Sequence, residues 1–193
     1  MHRATSAMKN LQKQLPAHQN PSQTNVLKRV TGQPSCDVFI NHRGVDTKRS
    51  MAALLYDHLA RLKLRPFLDN RTMKPGDKLF DSIHDAIRGC KVGVVVFSPR
   101  YCESYFCLHE LSLLVESRKK IIPIFYDINP SDICNLDDVN CSEKDFLRFS
   151  KALVEARYTV GLSFDSSQGN WSEVVTKAAD IVIKSLMEVE GEK

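Results

Sequence analysis

The apolar run from Val92 to Phe97 is the sequence feature that most constrains the fold of this chain. Four of its six residues are valine, a β-branched residue that favours strands, and no polar residue alternates with them. Polar alternation is expected of a strand with one solvent-facing side, so its absence indicates a strand covered on both faces. The run therefore predicts a central strand of a parallel α/β sheet.

Similar apolar runs, bounded by turn residues, predict three further strands, at residues 36–40, 64–68 and 121–126. Pro66 places the second of these at an edge of the sheet. Amphipathic stretches predict helices at about residues 48–62, 78–88, 101–118, 143–158 and 171–188. Strands that alternate with helices form parallel sheets through right-handed crossovers. We therefore predict an α/β fold: a flavodoxin-like, doubly wound parallel sheet of about five strands, with helices on both faces.

Charge is unevenly distributed along the chain. Residues 1–33 carry five Lys or Arg and no acidic residue, and their mixture of Gln, Asn, Pro and Lys predicts a flexible basic leader. The remaining residues carry 22 basic and 23 acidic side chains, so the formal net charge of +4 belongs to the leader. The predicted folded domain, residues 34–187, therefore lacks the basic excess typical of nucleic-acid binders. Residues 188–193 are predicted to be a disordered tail.

The six cysteines show no Cys-x-x-Cys pair and no histidine partner at zinc spacing, so we predict no metal site. The sequence also has no secretory segment and no span of 18 apolar residues. These observations predict reduced thiols, no membrane association and a cytoplasmic location, with the nucleus as an alternative. An organellar transit peptide is disfavoured because the leader has few arginines.

A candidate site follows from the predicted sheet, because open parallel sheets bind ligands beyond the carboxyl ends of their strands. The helix predicted at 101–118 begins at this edge. Phe106 and Glu110 are four residues apart, so they project from the same side of that helix. Arg43 and Lys74 follow two other strands. An aromatic ring, a carboxylate and cationic groups are therefore expected to converge on one cleft.

Several common chemistries are excluded by missing motifs. The chain has no Walker loop, no Gly-x-Gly-x-x-Gly after its first strand and no Gly-x-Ser-x-Gly elbow. A phospho-acceptor receiver needs acidic residues after the first and central strands. This chain has Asn41 and Ser98 there.

Four ordered segments resemble the plant-type TIR (Toll/interleukin-1 receptor) domain over about residues 34–187. They are CDVFINHRGVDTKRS, DNRTMKPGDKLFDSIHDAI, VGVVVFSPRYCESYFCLHEL and IIPIFYDINPSDI. In the family these segments hold the opening strand and its Arg-Gly-x-Asp-Thr loop, the BB loop, the central strand with the catalytic helix, and a further strand. With one leader and one such domain, the chain is similar to TIR-only proteins, including those of monocots.

This resemblance implies an NAD+ nucleosidase with Glu110 as its catalytic glutamate. The chemistry suits one carboxylate, because nicotinamide leaves as a neutral molecule and needs no general acid, unlike the leaving group of an ordinary glycosidase. Glu110 would stabilise the oxocarbenium-like transition state electrostatically. Capture of that cation by water gives ADP-ribose, whereas capture by a group of the same substrate gives a cyclic ADP-ribose isomer. The sequence leaves both products open.

The resemblance also implies substrate-binding residues, with NAD+ as substrate and no other cofactor. The first loop is expected to meet the phosphates with backbone N–H groups at a helix N-terminus. The expected substrate-binding residues are His42, Arg43, Gly44, Val45, Asp46, Thr47, Lys48, Gly76, Ser98 and Phe106. Three of them depart from the family pattern: His42 replaces Phe, Val45 replaces Glu and Phe106 replaces Trp.

Two other functions compete with the enzyme. The resemblance implies self-association and contacts with other TIR-containing immune receptors, so a non-catalytic TIR adaptor is the first alternative. Ala53-Leu54 replaces the Ser-His pair that relatives use in one dimer face, which predicts a different or more apolar contact there. The second and weaker alternative is cleavage of nucleic acid by TIR filaments, favoured only by the basic leader. Glu110 at the matching position favours the enzyme over the adaptor.

Overall fold

A computed structural model describes residues 36–133, 136, 139 and 141–191. The predicted leader, residues 1–33, lies outside the described residues. The five strands of the sheet are β1 (Val38–His42), β2 (Pro66–Phe67), β3 (Val92–Phe97), β4 (Lys120–Tyr126) and β5 (Leu162–Phe164). All neighbours pair in parallel, in the order β2-β1-β3-β4-β5. This order is that of flavodoxin-like folds and confirms the predicted class, with β3 central and fully buried.

Helices cover both faces of the sheet. They are α1 (Met51–Arg61), α2 (Leu79–Gly89), α3 (Tyr105–Glu116), α4 (Glu143–Arg157) and α5 (Trp171–Gly191). One buried cluster joins α1 and α5 to side chains such as Val38, Ile40 and Val94. A second cluster joins α2, α3 and α4 to Phe39, Val95 and other side chains. The two clusters fill opposite faces because successive strand residues point to opposite sides.

Element boundaries differ from the predictions at four places. The second strand has only two residues, and the helix predicted at 48–62 is a helical turn, Gly44–Thr47, followed by α1 from Met51. The helix predicted at 101–118 is a 3-10 turn, Tyr101–Glu103, followed by α3 from Tyr105. The predicted disordered tail is wrong for residues 188–191, because α5 continues to Gly191.

An ion pair fixes the short edge strand β2 beside β1. Asp37 Oδ2 accepts hydrogen bonds from the backbone N–H of Arg65 at 2.9 Å and from its Nε at 3.1 Å, and Oδ1 accepts from Nη2 at 2.8 Å. These hydrogen bonds are the main reason that the pKa of Asp37 lies below its usual range. The planar guanidinium fork holds the end of β2 in register where few ladder bonds are available.

The cysteines only partly match the prediction of reduced thiols. Cys36, Cys90, Cys107 and Cys141 are free. Cys102 is disulfide-bonded, so the prediction is wrong for this residue. Among the described residues, no helix is long and apolar enough to cross a membrane.

Gly161 lies immediately before β5, and a substitution there tests how closely this last strand packs against β4. A Cβ at this position would lie 2.5 Å from the carbonyl oxygen of Pro123 and 2.8 Å from a ring carbon of Phe125. Because backbone cannot yield cheaply, we expect Gly161→Ala to lower the free energy of unfolding by about 2 kcal/mol, measured by urea denaturation. Gly191→Ala is the control, since no atom lies within 4 Å of its Cβ position. An equal effect of both variants would contradict this account.

Candidate active site

A cavity of about 220 Å³ opens at the carboxyl end of β1. Its walls come from the end of β1, from α2 and α3, and from the helical turn Asp69–Thr72 that follows β2. β1 and β3 are neighbours, and the chain leaves β1 towards β2 on one side but leaves β3 towards β4 on the other. Such a switch point is where doubly wound sheets bind ligands.

Helix α3 brings Phe106 and Glu110 to this cavity, as their spacing predicts. The helix begins after Ser104, whose Oγ caps it by accepting a hydrogen bond from the N–H of Cys107 at 3.3 Å. Phe106 and Glu110 both line the cavity, one turn apart. The ring of Phe106 remains 44% exposed and offers a flat apolar surface at the rim, while the carboxylate of Glu110 lies deeper.

Glu110 accepts one hydrogen bond on one carboxylate oxygen. Nδ2 of Asn41 donates to Oε2 at 2.8 Å. Burial raises the pKa of Glu110 to about 8; the hydrogen bond from Asn41 opposes this rise, and the nearby charge of Asp69 adds to it. Without a ligand, protonated and ionised forms of Glu110 therefore coexist near neutral pH.

Asn41, which the sequence analysis did not predict as a site residue, is fully buried at the end of β1. Besides Glu110, its Nδ2 donates to the carbonyl oxygen of Cys107 at 3.1 Å. The hydroxyl of Tyr101 donates to Oδ1 of Asn41 and also lies 3.1 Å from the Cys107 carbonyl. The only feature of the sequence that marks Asn41 is its polar side chain directly after the apolar residues of the first strand.

His42 and Arg43 line the cavity with unused hydrogen-bonding atoms. His42 is 8% exposed, and burial is the main reason that its pKa is lowered, so the imidazole is neutral at pH 7. Within the described part of the chain, His42 Nε2 and Arg43 Nε are buried without a hydrogen-bond partner. Arg43 Nη2 lies 4.0 Å from Glu103 Oε2. Arg43 can therefore offer donors to an anion in the cavity.

Residues 45–48 of the first loop do not line the cavity. Val45 is 64% exposed, and Lys48 is also exposed. Asp46 Oδ2 instead accepts from Ser98 Oγ at 2.6 Å, and Thr47 Oγ1 donates to the Arg43 carbonyl at 3.2 Å. Asp46 and Ser98 thus tie the loop to the end of β3, while Thr47 closes the turn within the loop; neither role was predicted.

Fewer backbone N–H groups of the first loop are free to bind phosphates than we predicted. The N–H groups of Asp46 and Thr47 donate to the carbonyl of Arg43, and that of Lys48 donates to the carbonyl of Gly44. These N–H groups are not free because the loop forms the helical turn Gly44–Thr47, whose hydrogen bonds use them. Gly44 itself lines the cavity.

Gly76 and Lys74 lie in an exposed turn and do not line the cavity. Gly76 has φ of 98°, which glycine adopts without strain, so its requirement is conformational. From the same region, the cavity wall receives Asp69, whose acidic side chain the sequence analysis did not select.

An aromatic cluster lies beside the cavity, where α2 meets α3. The ring of Phe80 packs on that of Phe106 with centroids 5.6 Å apart. His109 is half-buried, stacks on Tyr105 and lies with its Nε2 3.2 Å from that of His84. His109 does not line the cavity.

Metal ligands are not clustered in the described residues: no group of three or more His, Cys, Asp or Glu could hold a metal ion there. The described side chains that line the cavity include two carboxylates, Glu110 and Asp69, together with an imidazole, a guanidinium and an aromatic face.

The raised pKa of Glu110 predicts how stability depends on pH. Because the folded state holds this proton up to about pH 8 and the unfolded state releases it near its ordinary value, stability should fall as pH rises from 4.5 to 8. We expect Glu110→Gln to remove this slope and to exceed the unsubstituted chain by about 2 kcal/mol at pH 8. Urea denaturation between pH 5 and pH 8 measures it. Parallel pH profiles of the two proteins would contradict the raised pKa.

Comparison with known proteins identifies relatives of the chain. The family model of the TIR domain matches residues 36–189. A protein of Brachypodium distachyon named "Probable 2' cyclic ADP-D-ribose synthase BdTIR" is 54% identical over 163 residues, covering 82% of this chain and 73% of that protein. TMV resistance protein N of Nicotiana glutinosa is 34% identical over 105 residues, which is 52% of this chain but only 9% of that longer protein.

A solved structure supports the same assignment. The TIR domains of the activated Roq1 resistosome, which recognises the pathogen effector XopQ, superpose with a TM-score of 0.66 and 26% identity. The match covers 77% of this chain and 99% of that chain. Together with the family match over most of the described residues, the parallel sheet and the cavity at its switch point, these likenesses show that the chain belongs to the TIR domain family.

Proposed function

We propose that this chain cleaves the nicotinamide–ribose bond of NAD+ and releases nicotinamide together with ADP-ribose or a cyclic ADP-ribose isomer as an immune or cell-death signal. The observation that carries the proposal is the placement of Glu110 in a cavity at the sheet's switch point, one helical turn from the exposed ring of Phe106. The relative named as a probable 2' cyclic ADP-D-ribose synthase supports the same activity.

The positive charge of the substrate explains how a partly protonated Glu110 can act. The nicotinamide ring of NAD+ is cationic, so its binding beside the carboxyl group favours the ionised form. As the C–N bond breaks, nicotinamide takes the bonding electrons and leaves neutral, while positive charge develops on the ribose. The buried carboxylate of Glu110 stabilises that charge more strongly than it could in water.

The other cavity residues suit the remaining parts of a dinucleotide. Phe106 offers a stacking surface for a base, and Arg43 offers donors to the diphosphate. The cavity volume of about 220 Å³ lies below the roughly 300–1,000 Å³ that is typical of small-molecule sites. We infer that it holds one end of NAD+ and that the rest lies across the rim.

Exclusion of water from this small cavity favours a cyclic product. In that step a hydroxyl of the bound substrate attacks the ribose cation, a C–O bond forms, and the carboxylate of Glu110 accepts the hydroxyl proton. Entry of water gives linear ADP-ribose in its place. NAD+ is then the substrate, and the reaction requires no further cofactor.

We propose that the active form is an assembly of TIR domains. The likeness to TIR domains of an activated resistosome supports this, as does Leu54, which is 43% exposed on α1 beside a groove of about 290 Å³ between α1 and α5. Other TIR-containing immune receptors are proposed partners. We also propose a cytoplasmic location; four cysteine thiols are free, whereas Cys102 is disulfide-bonded.

Nicotinamide release from NAD+ tests the enzymatic function. We expect Glu110→Gln to lower the rate by about 100-fold or more, because a neutral amide cannot stabilise the developing cation. Glu116→Gln is the matched control: Glu116 lies on the same helix, but it is paired with Arg148 at 2.6 Å and does not line the cavity. Full release by Glu110→Gln would leave the non-catalytic adaptor as the better account.

The pH dependence of kcat/KM tests the ionisation of Glu110. Because kcat/KM reports the free enzyme, it should rise about tenfold from pH 6 to pH 7 and level off above about pH 8. The rise of kcat should occur at lower pH, since bound NAD+ favours the carboxylate. Steady-state rates in overlapping buffers at constant ionic strength measure both. A kcat/KM that is flat from pH 6 to pH 8 would contradict this role.

A further inference from the structure

We propose that Asn41 is a positioning residue for the reaction: its amide, oriented by Tyr101 and Cys107, holds Oε2 of Glu110 and leaves Oε1 free for the substrate ribose. This inference rests on the proposed function and adds a residue that acts through Glu110 rather than on the substrate. It assigns a task to the buried polar group at the end of β1.

The direction of the Asn41 side chain follows from its strand. Successive strand residues point to opposite faces, so Asn41 shares the face of Phe39, which α2, α3 and α4 cover. Its two amide hydrogens are both used, at 2.8 Å to Glu110 and at 3.1 Å to the carbonyl of Cys107. Cys107 and Glu110 lie on the same helix, so a single amide fixes the helix and its carboxylate to β1.

Tyr101 prevents the amide from turning over. Its hydroxyl has one proton, and the nearer of its two acceptors is Oδ1 of Asn41. When Glu110 is ionised, a flipped amide would direct its oxygen at the Glu110 carboxylate and at the Cys107 carbonyl, and neither group could donate a hydrogen bond to it. The hydroxyl of a fully buried tyrosine therefore specifies that Asn41 donates to Glu110.

The remaining oxygen of Glu110 is the one available for chemistry. Within the part of the chain that the structure describes, Oε1 has no hydrogen-bond partner, although Glu110 lines the cavity. A donor on Oε2 stabilises the ionised carboxylate and fixes the plane in which Oε1 faces the cavity. Loss of the donor would therefore change both the charge and the aim of this group.

The pH profile of nicotinamide release distinguishes this role from simple support of the fold. Asn41→Ala removes the donor, so the rise of kcat/KM should move upwards by about one to two pH units, with roughly tenfold or greater loss at pH 7 and partial recovery at high pH. Tyr101→Phe should move the rise in the same direction by a smaller amount. A purely structural defect would instead lower the rate equally at all pH values.

Ser112→Ala is the matched control. Ser112 is a buried residue of α3 whose Oγ donates to the Leu108 carbonyl at 2.9 Å, and among the described residues it makes no hydrogen bond to Glu110. We expect this variant to lose some stability and to keep the pH profile. An unmoved profile in both Asn41→Ala and Tyr101→Phe, or an equal shift in Ser112→Ala, would overturn the proposal.

A measurement that needs no activity separates this proposal from the proposed function. Carbon-13 NMR titration of the Glu110 carboxyl group should give a higher pKa in Tyr101→Phe and, where it folds, in Asn41→Ala. This shift would persist even if Glu110→Gln retained nicotinamide release, an outcome that refutes the proposed function and limits Asn41 to controlling ionisation. An unchanged Glu110 titration in the folded variants would refute the role of Asn41 itself.

Discussion

The parallel pairing of β1 with β3, with β2 on the outer side of β1, is the constraint on which the rest of the structure depends. It places α1 on one face of the sheet and α2 and α3 on the other, and it leaves the carboxyl end of β1 where the direction of the crossovers reverses. Asn41 and His42 end β1 here, and α3 returns from β3 to the same edge. A cavity at this point needs no special loop, because the topology leaves the space uncovered.

Within that cavity, two opposing effects act on one carboxyl group. Burial favours the neutral form of Glu110, while the amide of Asn41 favours its charged form. A fully solvated carboxylate would be ionised but weakly effective, and a fully desolvated one would stay protonated. The observed environment lies between these limits, so a cationic ligand can decide the charge state. The hydrogen bonds that join β1, Tyr101 and α3 therefore influence the charge of Glu110 as well as holding these elements together.

The sequence predicted the parts of the fold that depend on local periodicity. The valine run gave the central strand, and the four-residue spacing of Phe106 and Glu110 correctly placed both on one side of α3. The start of α1 was predicted too early because the chain before it forms a separate helical turn, in which Asp46 accepts a hydrogen bond from Ser98 at the end of another strand. Asn41 was missed for a similar reason: its partners are 60 to 69 residues away in the chain. A motif places a loop near a site, but it does not say which side chains, such as Val45, turn outward.

The contact between Phe80 and Phe106 joins the beginning of α2 to α3. Phe80 belongs to the first turn of α2, immediately after the exposed segment around Gly76, whereas Phe106 belongs to the helix that carries Glu110. One ring thus supports the other from the side of the exposed turn. A change in the position of this turn would therefore alter the support of Phe106 through the tilted ring of Phe80, without a direct contact to Glu110.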